Sequence, residues 1–248
     1  IAGGIWHVEN MSIFAIVMIF IALTTTLFGY RTTFANTQKE VSPKDEVLPF
    51  NAMTVYVQFF KNKALFCSGM IMILSSIVFG AMSTFIPLYT VREGFANAGI
   101  FLTIQAITVV IARFYLRKYV PSDGLWHHRF MMIVLTLLMV ASVIVAFGPH
   151  IVSIFVYISA IFIGITQALV YPTLTTYLSF VLPKIGRNML LGLFIACADL
   201  GISLGGVLMG PISDTVGFKW MYILCALLVT IAMTLSKIRQ RQSVSKAS

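Results

Sequence analysis

The amino-acid sequence predicts an all-α membrane protein, a helical bundle with about seven transmembrane helices. Hydrophobic residues form 59% of the 248 residues and charged residues only 10%, where a soluble domain carries about 45–50% and about 25%. Stretches almost free of Lys, Arg, Asp and Glu recur along the chain, each near the ~20 residues that a helix needs to cross hydrocarbon. These runs are continuous rather than alternating over ~10-residue strands, which selects helices over a barrel. A helix also closes its own backbone hydrogen bonds in lipid.

Taken in order, the expected spans are Ser12–Tyr30, Ala64–Pro87, Ala96–Leu116, Phe130–Phe147, Ile151–Val181, Met189–Gly210 and Trp220–Ser236. The fifth is too long for one straight crossing and must extend past the bilayer or tilt. The hydrophilic stretch Arg31–Lys63 carries both charge signs, Pro43 and Pro49, and separates the first span from a block of six. Near its end, Phe50–Phe60 reads as a short amphipathic piece suited to the membrane surface. The first residue is Ile1, and no basic, apolar and small-residue signal pattern follows it, so further chain is expected upstream.

The net charge of +9 is a matter of topology, not of nucleic-acid binding. With the amino end outside and each span reversing direction, Arg31, Lys39, Lys44, Lys61, Lys63, Arg113, Arg117, Lys118, Arg129, Lys184, Arg187, Lys237, Arg239, Arg241 and Lys246 fall on one side. Only Arg92 and Lys219 fall on the other. Such a sort is what the positive-inside rule gives for a cytoplasmic face, and it places the carboxyl terminus in the cytoplasm of a cell whose plasma membrane the chain spans. Anionic lipids add their attraction to the same face.

Ionisable and amide groups inside spans are expensive and therefore informative. Asp199 lies about halfway along LLGLFIACADLGISLGGVLMG, near the midplane. It reads either as a protonated packing group or as a proton-coupling or substrate-binding carboxyl facing a cavity. Around it Gly201/Gly205 and Gly206/Gly210 form two G-x-x-x-G pairs, which permit close helix packing. Gln105 and Gln167 sit mid-span and either bond across helices or line a cavity. Tyr171–Pro172 is expected to break or kink the fifth span, with Tyr171 at the cavity wall. Arg113, one turn inside its span, either snorkels or serves as a conformational latch or anion contact.

Enzyme chemistry is not legible: H-E-x-x-H, G-x-S-x-G and P-loop patterns do not occur. No catalytic residue, cofactor or metal site is expected. Cys67, Cys197 and Cys225 all lie within spans without C-x-x-C spacing and read as buried apolar filler. The adjacent His127 and His128 cannot share a helical face, and His7 and His150 fall at span ends. A seven-helix receptor shares the span count. A retinal protein, however, needs a lysine within its last helix, which here is only flanked by Lys219 and Lys237.

Three segments carry a resemblance to the major facilitator superfamily of transporters. DLGISLGGVLMGPISDTVGFKWMY resembles its eleventh-to-twelfth helix region, STFIPLYTVREGFANAGIFLTIQAITVVIARF its seventh and eighth helices, and YPTLTTYLSFVLPKIGRNMLLGLF its tenth helix and the start of the eleventh. The resemblance implies that residues 1–30 hold the last helix of a first half, 31–63 the central cytoplasmic loop, 64–236 the second six-helix bundle and 237–248 a basic cytoplasmic tail. A missing amino-terminal half would then supply the rest of the cavity. IFIALTTTLFGYR, PFNAMTVYVQFFKNKA, ARFYLRKYVPSDG and FVLPKIGRNMLLGLFIACADLGISLGG are similar to members that export metallophores. That similarity implies a small zwitterionic opine as substrate and protons as the driving partner, with a multidrug:proton antiporter as the rival reading. One departure stands out. The family's G-x-x-x-D-R-x-G-R echo between helices eight and nine is reduced to Arg113, with Phe114 where proline is common and Arg117 where glycine is expected.

Overall fold

The computed structural model describes residues 19–20, 23–24, 59–183 and 186–244. The chain divides into two compact units, Ile1–Phe50 and Asn51–Ser248. In the first, Ile19, Phe20, Leu23 and Thr24 are helical and the Thr24 hydroxyl donates to the Phe20 carbonyl at 2.9 Å. The rest of the Ser12–Tyr30 span, His7, the stretch 31–58 and residues 245–248 lie outside the described residues.

The second unit is a bundle of helices α1 (Lys63–Glu93), α2 (Ala98–Tyr115), α3 (His128–Ala146), α4 (Ser153–Val181), α5 (Arg187–Val216) and α6 (Phe218–Val244). All six are long and apolar enough to cross a membrane, and they match the six spans expected from Ala64 onward. The boundaries follow local chemistry. Asn62 caps α1 by accepting hydrogen bonds from the Ala64 and Leu65 amides at 3.0 and 3.3 Å. Gly94 closes its other end with φ +67°, a conformation that favours glycine.

Three prolines sit inside helices, Pro87 in α1, Pro172 in α4 and Pro211 in α5. The expected break at Tyr171–Pro172 does not occur: α4 is helical without interruption for 29 residues. Thr173 and Thr175 hydroxyls donate to the Leu169 and Tyr171 carbonyls across the proline turn, at 2.7 and 2.8 Å. Each proline still leaves one carbonyl without its usual amide, that of Ser83, Ala168 and Val207 respectively. At the other extreme, α6 continues beyond Ser236 as helix to Val244, so the expected tail begins as an extension of the last span.

Helix α1 is the hub. It packs chiefly on α5 and α6, while α3 joins α4 and α6, and α2 leans on α4. Within their apolar windows, 83% of α1 is buried against 17% of α2, so α2 is a rim helix. The α1–α5 contact is made by backbone. A Cβ on Gly205 would overlap the Ile77 carbonyl and stand 2.9 Å from the Ala81 nitrogen. On Gly201 it would stand 2.6 Å from the Ser76 Cβ and 2.7 Å from the Ile73 carbonyl, and on Gly80 it would overlap the Ile202 carbonyl. Gly206 and Gly210 meet only ordinary contacts, at 3.8 Å from Thr84 Oγ1 and 3.7 Å from Phe85 Cζ. The tight G-x-x-x-G pair is therefore Gly201/Gly205, and Gly206/Gly210 is not part of that seam.

The two ends of the bundle differ as the charge sort predicts. Arg92, in the last turn of α1, stacks over Phe218 at 5.8 Å, and Lys219 over Phe147 at 4.8 Å. Arg92 and Lys219 thus share one end, while Lys63 and Arg239 stand at the other, where α1 begins and α6 finishes. The three cysteines are buried and unbridged. Replacing Gly205 by Ala should lower the stability of the purified protein in detergent by about 1–3 kcal/mol. Gly192→Ala, where nothing lies within 4 Å, should change it little. Equal thermal midpoints for the two variants would contradict the backbone seam.

Candidate functional site

The seam fixes how α5 is rotated. Leu190, Phe194, Cys197, Ala198, Gly201, Gly205 and Met209 are buried, so the residues half a turn away form its open face. Down the middle of that face run Gly192, Ala196, Asp199, Ser203, Gly206 and Gly210, spaced in alternating steps of four and three residues. The stripe is small and polar. Ile195 and Ile202 border it on one side, Leu200 and Val207 on the other. Asp199 is exposed on this face, and among the described residues no hydrogen bond or ion pair engages its carboxylate. Ser203, one turn on, donates its hydroxyl to the Asp199 main-chain carbonyl at 2.9 Å.

A carboxylate held against lipid at midspan would cost roughly 2.5–3.5 kcal/mol. Small side chains would also leave poor contact with acyl chains. Both facts make the open face of α5 a costly one to present to lipid. Next to its carboxyl-terminal half, α1 contributes Ser83 and Thr84, both exposed, with Thr84 beside Gly206. The carbonyls freed by Pro87 and Pro211 belong to Ser83 and Val207, adjacent to this approach. Irregular hydrogen bonding of this kind is tolerated at membrane depth where it lines a cavity or is covered by protein.

The amides form a second feature. Gln105 of α2 donates from Nε2 to Oε1 of Gln167 on α4 at 3.1 Å, and its own Oε1 is buried without a partner among the described residues. Of the two alternatives for this pair, the interhelical bond is present. Gly164 makes it possible, since a Cβ there would stand 2.8 Å from Thr108 Cβ and 2.9 Å from the Gln105 carbonyl. Tyr171 lies one turn beyond Gln167 and its ring tilts against Phe194 of α5 at 6.1 Å. The structure thus links Gln105, Gln167 and Tyr171 along one route from α2 through α4 to α5. Asp199 is not bonded to them.

Arg113 sits in the last turn of α2, exposed between Ala112 and the exposed Phe114 and Tyr115. No ion pair reaches it among the described residues. His127 pairs with Asp123 at 3.3 Å, and no cluster of metal-binding groups occurs among the described residues. Four residues escaped the sequence reading. Ser203, Ala196 and Gly192 were legible in principle from their four-three spacing around Asp199. Arg239 was not: it falls among the other basic residues of the carboxyl-terminal run, yet it is buried against Tyr177.

Six apolar helices, each long enough to cross a membrane, packed through a glycine seam, define the class of a polytopic α-helical membrane protein. The sequence profile of the Major Facilitator Superfamily matches residues 2–206 and again 98–248. The chain belongs to that family, and membership removes the receptor reading. It is 69% identical over 240 residues to the staphylopine export protein of Staphylococcus aureus, a match covering 97% of this chain and 60% of that relative. It is also 23% identical over 176 residues to uncharacterized MFS-type transporters of Burkholderia mallei and Burkholderia pseudomallei, covering 71% of this chain and 42% of theirs.

The amide pair carries a stability prediction. Gln167→Leu strands the Gln105 amide and should cost about 1 kcal/mol. Adding Gln105→Leu should recover part of that loss, as a thermal double-mutant cycle in detergent would show. Strict additivity would mean that the bond contributes nothing.

Proposed function

We propose that this chain forms the carboxyl-terminal half of a secondary transporter that exports a small zwitterionic metallophore of the opine type from the cell. Its 69% identity to the staphylopine export protein across nearly its full length carries this reading. The chain spans 60% of that relative's length, so in this reading further helices of the same protein complete the cavity. The transporter sits in the plasma membrane with its basic end, including the carboxyl terminus, in the cytoplasm. Transport, not catalysis, is its activity.

The mechanism we infer is alternating access around a midplane site between two bundles. Asp199 is the proton-carrying group. It lies at midspan on the open face of α5, where a proton entering the cavity from either side would meet it. Release of that proton to one side and uptake from the other ties carboxylate charge to cavity orientation. Thr84 offers a hydroxyl, and Ser203 and Ser83, whose protons go to the Asp199 and Phe79 carbonyls, offer acceptor oxygens to the ammonium group of a zwitterionic substrate. Gln105, Gln167 and Tyr171 brace the wall from behind. Arg113, at the end of α2, serves as a contact for headgroups or for a gating partner.

Two measurements test this reading. With the intact gene deleted under metal starvation, mass spectrometry should find the opine accumulating in cells and vanishing from the medium. An unchanged distribution, with new sensitivity to lipophilic cations, would favour a multidrug:proton antiporter instead. Asp199→Asn in the intact protein should abolish proton-driven export in vesicles while normal amounts of protein reach the membrane. Unaltered transport by that variant would reduce Asp199 to a packing role.

A further inference from the structure

At the basic end of the bundle, where α1 begins and α4 and α6 finish, lies a cavity of about 440 Å³. Lys61, Lys63 and Arg239 line it together with Asn62, Val181 and Leu190, and no carboxylate contributes to the lining among the described residues. Arg239 is only 9% exposed. Its Nε and Nη2 both donate to the Tyr177 hydroxyl, at 3.1 and 2.6 Å, and its guanidinium stands 5.9 Å from the same ring's centroid. A phenol hydroxyl is neutral. The third guanidinium nitrogen, Nη1, has no hydrogen-bond partner among the described residues.

A buried cation without a counter-charge is costly, and the usual remedy is an anion in direct contact. The remaining walls point the same way. The cavity touches the first turn of α1, a 31-residue helix whose positive end favours negative charge. Asn62 already occupies the Ala64 and Leu65 amides, so the helix end acts through its dipole and through the two flanking lysines. Arg187 opens the neighbouring helix α5, and its Nη2 donates to the Leu182 carbonyl at 3.3 Å. Val181 and Leu190 provide an apolar wall beside this charge.

We propose that this cavity binds one phosphate-bearing anion, supplied either by the headgroup of an anionic phospholipid or by inorganic phosphate. The geometry demands little of the ligand: a compact phosphate oxyanion whose oxygens reach Arg239 and the lysines. Bound there, it bridges the start of α1 to the end of α6 and neutralises Arg239. The site is independent of the export reading, because none of its residues belongs to the polar face of α5.

The test uses the intact protein in detergent, as wild type, as Arg239→Gln and as the double variant Lys61→Gln/Lys63→Gln. The two lysines are exposed, so their replacement leaves packing undisturbed even where Arg239→Gln impairs folding. Native mass spectrometry with added phosphatidylglycerol should show one retained lipid in the wild type, with affinity about tenfold weaker in the variants. In parallel, inorganic phosphate is titrated while the thermal midpoint is followed. A phosphate response lost in the variants, with lipid retention equal in all three proteins, would make free phosphate the ligand. Equal lipid retention together with an equal phosphate response in all three would overturn the site.

Discussion

The rest of the bundle depends on the backbone contact between α1 and α5. With no hydrophobic driving force between helices in lipid, association relies on close packing, and small residues set how close it can be. Here Gly80, Gly201 and Gly205 bring two backbones into contact, with Ser76 Cβ the one side-chain atom met, at Gly201. The seam does more than hold two helices together. It sets the rotation of α5, and that rotation turns Asp199 away from the hub and onto the open face. Packing and the position of the ionisable group are one decision made by three glycines.

The open face gains its meaning from cost. A soluble protein can leave an aspartate on its surface without consequence, but a span cannot leave one against acyl chains. Flanking Asp199 with small residues, and bordering these with Ile195, Ile202, Leu200 and Val207, gives the helix a narrow polar channel between two apolar rails. Such a surface is suited to a second bundle that closes on the rails and leaves the stripe between them wet. The prolines in α1 and α5 add carbonyls free of their helix partners at the same place. By contrast Gln105 and Gln167 bond to each other and stiffen the α2–α4 contact, with Gln105 Oε1 left unpartnered among the described residues.

Much of this was legible in the sequence, for physical reasons that differ by residue. Six spans from Ala64 onward follow from apolar length alone, because the bilayer imposes it. Asp199 was visible because a lone carboxylate in an apolar run of about 20 residues is expensive, whether it serves packing or a cavity. The tight pair Gly201/Gly205 could not be separated from Gly206/Gly210 by spacing, since only the rotation of α5 distinguishes them. Pro172 suggested a break, yet threonine hydroxyls bond carbonyls across that turn and the helix runs on. Arg239 carried no signal at all. Its neighbours in the chain are basic and polar, and only the arrival of Tyr177 from α4 buries it.

The central claim is that the Asp199 stripe lines an aqueous cavity. Single cysteines placed at positions 196, 199 and 203 of the intact protein test it most directly. Cys67, Cys197 and Cys225 are first replaced by alanine, and labelling is done in membranes with an impermeant thiol reagent. The account predicts rapid labelling along the stripe and slow labelling at Val207→Cys and Ile202→Cys on the rails, with substrate slowing the former. A stripe as unreactive as its rails would contradict the cavity and leave Asp199 sealed in a helix interface.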